Sequence, residues 1–153
     1  MSNSIAVLAR SGEASRPSSD AIAFLGRLLI AGIFLLSGAS KVAQPDATLA
    51  YIGSAGLPFV SLAFAGAVLA ELGGGIALVL GYRTRLVAAV LALFSVATAL
   101  GFHSNLADQN QFIHLFKNIA IAGGFLTLAA HGAGPISIDA LRRKRTIGTA
   151  AVA

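Results

Sequence analysis

The sequence predicts an all-α membrane protein, a bundle of four transmembrane helices with both termini in the cytoplasm. Apolar residues make up 56% of the 153-residue chain and charged residues only 11%, whereas about a quarter of the residues in soluble domains are charged. The apolar residues are concentrated in four long segments, and basic residues occur in alternate connections between them. A chain of this length is expected to form one domain.

The four apolar segments cover residues 22–42, 59–80, 86–102 and 112–130. Each is about 20 residues long, which is what a helix needs to cross ~30 Å of hydrocarbon. Their glycines would weaken a helix in water but are common where membrane helices approach each other closely. We therefore predict a transmembrane domain over residues 21–139.

Basic residues flank the predicted spans on one side of the membrane. Arg10 and Arg16 precede the first span, residues 81–85 form a basic turn after the second, and residues 142–145 follow the fourth. The opposite connections contain no Lys or Arg. By the positive-inside rule the basic side faces the cytoplasm, which predicts a multi-pass protein of the bacterial cytoplasmic (inner) membrane.

The two ends of the chain lie outside the predicted bundle. Residues 1–20 are rich in serine and lack any helical or strand period, so we predict a disordered cytoplasmic tail. Residues 140–153 are predicted as a basic cytoplasmic tail. A signal peptide is the alternative for the first span, but the apolar run is long for one and Lys41 stands where the mature chain would begin.

The connection between the first two spans is longer than a tight turn requires. It contains Pro45-Asp46 followed by apolar residues, a pattern typical of the start of a helix. We therefore predict a short helix at the membrane surface in this connection.

Arg27 and Glu71 are charged residues well inside the first and second predicted spans, where an unpaired charge costs about 3 kcal/mol or more. Arg27 is about 8 Å and Glu71 about 14 Å from the cytoplasmic boundary, at a rise of ~1.5 Å per residue. Because an arginine side chain can bridge that difference, we predict an intramembrane ion pair between them. A proton-carrying or ligand-binding Glu71 is the alternative.

Small residues recur at four-residue spacing in the second span, at Gly66, Ala70 and Gly74. Small side chains permit close approach of a neighbouring helix, so we predict that this stripe is a packing face.

Polar residues near the outer ends of the spans predict a binding pocket. His114, Lys117 and Asn118 share one face of the fourth helix. The antiparallel order of the spans brings Lys41 and His103 to the same membrane level. A pocket lined by these residues would favour an anion or the oxygens of a quinone head group. The alternative is that these side chains only reach toward the membrane interface.

Several classes of chemistry are excluded by composition or spacing. The chain has no cysteine, so it cannot supply a thiolate nucleophile, cysteine-bound zinc or an iron–sulfur cluster. Neither metal-ligand spacing nor a phosphate-binding glycine loop occurs. We therefore predict no metal, no intrinsic cofactor and no nucleic-acid partner.

The order of short motifs along the chain resembles that of the DoxX family of small bacterial membrane proteins. The motifs are Gly26-Arg27, Gly38-x-x-Lys41, Gly56-Leu57-Pro58, Glu71-x-x-Gly74-Gly75, Gly81-x-x-Thr84-Arg85, Lys117-Asn118, Gly123-Gly124 and Gly134-Pro135-x-Ser137-x-Asp139. The resemblance implies a four-helix membrane fold. It also implies a redox role, because relatives include a subunit of a thiosulfate–quinone oxidoreductase.

Three functions are compatible with these residues. The first is a subunit of a membrane redox system that binds a quinone or small anion and works with a soluble or membrane partner. The second is a small transporter or proton pathway that uses Arg27, Glu71 and Lys117. The third is a non-catalytic assembly or scaffold protein, whose charges only fix helix packing. The resemblance favours the first, while catalytic residues and a homo-oligomeric state stay open.

Overall fold

The structure is a computed structural model that describes residues 17–150. This part of the chain is helical and contains no strand. The helices are α1 Pro17–Ala43, α2 Pro45–Ser54, α3 Val60–Leu80, α4 Thr84–Phe102, α5 Gln109–His131 and α6 Ile138–Ala150.

Four of these helices, α1, α3, α4 and α5, are long and apolar enough to cross a membrane. Their mean hydropathies lie between 1.5 and 2.1. Large apolar side chains such as Leu36, Leu62 and Leu93 point away from the bundle and are exposed, as expected where the surroundings are lipid rather than water. The predicted all-α fold with four membrane-spanning helices is confirmed, and the cytoplasmic orientation of the termini stays a prediction.

Two short helices lie outside the spans. The predicted surface helix is present as α2, which begins at Pro45 and has Asp46 in its first turn. Much of the segment predicted as a basic tail belongs to the helix α6, at whose start the Ser137 hydroxyl accepts a hydrogen bond from the Ala140 N–H and Asp139 lies in the first turn.

Most of the predicted N-terminal tail of residues 1–20 lies outside the described residues, and its last four residues belong to α1, which begins at Pro17. Proline is favoured in the first turn of a helix, as is the acidic Asp20 that follows it. Residues 1–16 lie outside the described part of the chain.

The buried core lies where α1, α3, α4 and α5 meet. Phe34, Leu78, Leu91 and Phe125 are nearly inaccessible and belong to one apolar cluster. The rings of Phe34 and Phe125 meet edge to face, with centroids 5.0 Å apart, a favourable aromatic geometry.

Glycines bring α1 and α3 close together. A methyl group at Gly75 would come within 2.7 Å of the Leu35 side chain, and one at Gly38 within 2.8 Å of Leu72. Both distances are shorter than a van der Waals contact, so neither position accepts a side chain without displacing its neighbour. The contact between α1 and α3 therefore depends on Gly38 and Gly75.

The predicted packing stripe on α3 holds for part of its length. A methyl group at Gly74 would meet Leu91 at 3.0 Å, and Ala70 packs against the core. The prediction is wrong for Gly66, because a methyl group there would meet no atom within 4 Å. Gly66 is exposed and borders a cavity instead, since the neighbouring helices have separated at that level.

Helix α3 is not a regular α-helix along its whole length. Residues Leu69–Gly73 form one π-helical turn between two α-helical parts. Such a turn adds a residue to the helix and shifts the faces that follow it, and π turns are frequent at functional sites. Glu71 lies within this turn and is buried.

Candidate ligand-binding cavity

A cavity of about 940 Å³ lies among the helices at the end of the bundle where α1 and α4 finish and α5 begins. We call this the cavity end. Apolar side chains form much of its wall, including Phe34, Ile52, Phe94 and Ile121. Its volume falls in the range of about 300–1,000 Å³ that is usual for small-molecule sites.

The polar residues that the sequence predicted to meet at this level all line the cavity. They are Lys41, His103, His114, Lys117 and Asn118. Three helices contribute them, and Glu71 and Ser37 contribute further polar atoms to the same wall.

Lys41 and Glu71 form a buried ion pair in the cavity wall. The Lys41 Nζ atom lies 2.9 Å from each carboxylate oxygen of Glu71. The side chain of Glu71 is only 7% exposed and that of Lys41 is 24% exposed. Ser37 links them, because its hydroxyl donates to Glu71 Oε1 at 3.1 Å and accepts from Lys41 Nζ at 2.8 Å. The carboxylate is thus neutralised by a lysine on the adjacent helix.

The predicted ion pair between Arg27 and Glu71 is wrong. Arg27 is 2% exposed, but its guanidinium donates to the backbone carbonyls of Ala133, Ile136 and Val79. The physical reason is that the segment after α5 folds beneath the bundle and brings carbonyl groups to the arginine. The two terminal nitrogens of the guanidinium are paired with carbonyl oxygens, whereas its Nε–H has no partner among the described residues.

A second polar group lies at the cavity end, between α4 and α5. The rings of His103 and His114 stack with centroids 5.0 Å apart. Lys117 Nζ lies 2.8 Å from His114 Nδ1, and Gln111 Oε1 lies 2.8 Å from His103 Nδ1. The Asn118 amide donates to the His114 carbonyl at 3.0 Å.

Lys117 differs from Lys41 in its partner. Within residues 17–150 Lys117 has no carboxylate partner, and its neighbour is an imidazole nitrogen. His114 Nδ1 can accept a hydrogen bond from Lys117 Nζ in the tautomer that carries its ring proton on Nε2. The cavity therefore contains a cationic side chain without a matching anion.

Sequence reasoning missed most of the remaining lining residues, among them the polar residues Ser37, Tyr51 and Thr98. Ser37 precedes Lys41 by one helical turn, so the i, i+4 spacing could have placed it on the same face. Tyr51 comes from the surface helix α2 and stacks on Phe102 with centroids 5.3 Å apart. Its position depends on how α2 folds back over the bundle, which no local pattern predicts. Thr98 lines the cavity from α4. Its spacing from other polar residues of that helix gave no reason to single it out.

The opposite end of the bundle, which we call the basic end, is held by Asp139. Its two carboxylate oxygens accept the backbone N–H groups of Arg83 and Thr84 at 2.8 Å each. Burial alone would raise the pKa of Asp139, but these hydrogen bonds and the charge of Arg142 hold that pKa below its usual value. Asp139 thereby caps α4 and joins it to the segment that precedes α6.

These features define a class: a four-span membrane protein with a polar cavity at one end and a capped basic turn at the other. The DoxX family model matches residues 22–104, and the chain belongs to the DoxX family. It is 36% identical to inner membrane protein YqjF of Escherichia coli over 82% of this chain and 95% of that protein.

A second relative, inner membrane protein YphA of Escherichia coli, is 35% identical over 82% of this chain and 91% of that protein. No solved structure matches significantly. Together with the four membrane-spanning helices, these relatives identify the chain as a protein of the inner membrane.

Proposed function

We propose that this chain is the membrane subunit of a redox system and binds a quinone head group in the cavity. The observation that carries the proposal is Lys117, a cationic donor without a carboxylate partner in the described chain, on the wall of a largely apolar cavity. A quinone offers carbonyl oxygens that accept hydrogen bonds from ammonium groups, and its ring and tail match apolar walls.

The cavity residues fit such a ligand. Lys117 and Asn118 supply donors from α5, and Lys41 supplies one from α1. Phe34 and Phe94 supply aromatic walls, with ring centroids 6.4 Å apart. Gly66 leaves its side of the cavity uncovered, so an apolar tail can leave toward the lipid.

A bound quinone would accept electrons and protons, and the electrons would come from a partner subunit because this chain has no cysteine to hold an iron–sulfur cluster. The role of the chain's own residues is to bind and orient the ligand. Lys41, Glu71 and Ser37 form a connected set of hydrogen bonds at the cavity wall, where a proton can be held close to the ligand.

The same geometry gives less support to the two other functions. A transporter or proton pathway would need a route across the bundle, but the cavity reaches Phe34, which belongs to the packed core with Leu78 and Phe125. Arg27 is held by carbonyls at the basic end and does not line the cavity. A scaffold function would leave the grouping of Lys117, an exposed residue, with His114, Asn118 and Lys41 around one cavity without a role.

The test measures ligand occupancy in protein taken directly from the membrane. Wild type, Lys117→Met and the control Lys144→Met are extracted with a membrane-solubilising polymer, and the quinone content per chain is measured by mass spectrometry of lipid extracts. Lys144 is basic but lies on α6, away from the cavity. Loss of a charge-assisted hydrogen bond costs about 1.5–3 kcal/mol, so the Kd for quinone of Lys117→Met should rise about tenfold or more and its quinone content should fall accordingly.

The same preparations are titrated with a short-chain ubiquinone and, separately, with thiosulfate. Tighter binding of the quinone by wild type and by Lys144→Met than by Lys117→Met supports the proposal. Selective binding of thiosulfate would mean that the cavity takes a small anion. Absence of quinone from wild type would refute a quinone site and favour a scaffold role, and equal quinone content in all three proteins, with normal helicity and elution, would refute the role assigned to Lys117.

A further inference from the structure

The basic end contains a second cavity, of about 740 Å³, that the proposed function does not use. It lies between the start of α4, the end of α5 and the start of α6. Arginine and histidine side chains line it, together with the glycine-rich segment after α5. The lining includes Arg83, Arg85, Arg143, His131, Leu86 and Asp139.

The charge of this cavity is unbalanced. Among residues 17–150 Asp139 is the only carboxylate in its lining, and both of its oxygens already accept backbone N–H groups. Within the described chain Arg83, Arg85 and Arg143 have no carboxylate partner. Three guanidinium groups around one space attract an anion with several acceptor oxygens, and phosphate oxygens fit the guanidinium fork.

The backbone holds one of these arginines in place. Gly132 ends α5 with φ of 82°, a conformation that a side chain rarely adopts. A methyl group at Gly132 would also lie 3.3 Å from Arg85 Nε. The turn therefore passes close beside Arg85 and limits the space available to its guanidinium.

The position of the cavity favours a lipid over a soluble anion as its ligand. Arg85 and His131 lie in the terminal turns of two membrane-spanning helices, which is the level of lipid head groups. Leu86 lines the same cavity and is 58% exposed. A ligand at this level would meet arginines on its charged side and an apolar surface next to them.

We propose that this cavity binds the phosphate group of an anionic phospholipid, whose acyl chains lie along the lipid-facing surface beside Leu86. The site is separate from the quinone cavity and does not depend on the proposed function. Basic pockets and basic helices at the membrane surface bind anionic lipids, and each Lys or Arg near the surface strengthens that binding about fivefold. Helix α6 contributes to this attraction through Arg143, the residue of its basic run that lines the cavity.

The test uses the full chain in nanodiscs of phosphatidylcholine with and without phosphatidylglycerol, followed by native mass spectrometry of the lipids that stay bound. Wild type should retain phosphatidylglycerol in preference to phosphatidylcholine. Arg143→Gln should weaken that preference by about fivefold. Lys144→Gln, which removes the neighbouring charge but not a lining residue, should leave it nearly unchanged.

Two outcomes would overturn the proposal. Equal retention of the two lipids by wild type would exclude a selective site, and this measurement does not depend on the folding of any variant. Equal loss in Arg143→Gln and Lys144→Gln would show a diffuse surface charge rather than a cavity. Inorganic phosphate and glycerol phosphate serve as competitors, and displacement of the lipid by either at equal concentration would assign the cavity to a soluble phosphate.

Discussion

Removing either member of the Lys41–Glu71 pair leaves the other charge buried in the cavity wall. Nζ of Lys41 is 2.9 Å from both carboxylate oxygens, and the Glu71 side chain is 7% exposed. Breaking a buried pair from one side costs about 3–5 kcal/mol, whereas replacing both partners is often nearly neutral. Because Lys41 is partly exposed, we expect about 2–3 kcal/mol for Lys41→Met, at or below the lower end of that range.

Glu71→Gln should destabilise the protein by a similar amount, because it leaves Lys41 without its anion. The double variant should recover at least about 1 kcal/mol of the summed loss, since residues in contact show interaction energies of that order. The measurement is unfolding in mixed micelles with increasing dodecyl sulfate, followed by far-ultraviolet circular dichroism.

The matched control is a second cycle with Arg27→Gln and Glu71→Gln. Arg27 donates to backbone carbonyls at the other end of the bundle, so these two losses should add to within about 0.5 kcal/mol. Additive losses in the Lys41 cycle, or strong coupling in the Arg27 cycle, would refute the assignment of Lys41 as the partner of Glu71.

Two further predictions concern the basic end and the orientation of the bundle. Reporter fusions after Ala50 and Ala107 should read as external and those after Arg85 and at Ala153 as cytoplasmic, because basic connections stay inside; an external reading after Arg85 would contradict this topology. Folding lowers the pKa of Asp139, so ionised Asp139 stabilises the folded protein. This stabilisation is fully present above the ordinary carboxyl pKa of about 4, and it is lost as the pH falls through the pKa of Asp139 in the folded protein. The thermal midpoint of wild type should therefore exceed that of Asp139→Asn at neutral pH and approach it in acid, and a constant difference across this range would contradict the argument.

The sequence predicted the features that depend on segment length and helical spacing. The four spans follow from the apolar runs. The choice of polar residues that line the cavity follows from the antiparallel order of the spans, which brings His103, His114, Lys117 and Lys41 to one level. Spacing along a helix fixes the shared face of His114 and Lys117 without any knowledge of packing. These predictions needed no information on how the helices rotate against each other.

Features that depend on loops and on local distortion were not predictable in the same way. The partner of Arg27 is a set of carbonyls in the segment after α5, and backbone acceptors leave no mark in residue identity. The π turn around Glu71 shifts the faces of α3, whereas the packing stripe assumed a regular helix. Gly66 shows the result, because its spacing matches Gly74 but its surroundings do not.

The stacking of Tyr51 on Phe102 has a practical consequence for spectroscopy. The chain has no tryptophan and only two tyrosines, Tyr51 in the cavity wall and Tyr82 in the basic turn, where it lies 5.4 Å from the Arg142 guanidinium carbon. Replacing either tyrosine by phenylalanine leaves a single fluorophore at a known end of the bundle. Each end of the protein can thus be followed by its own intrinsic emission, without a dye or an introduced label.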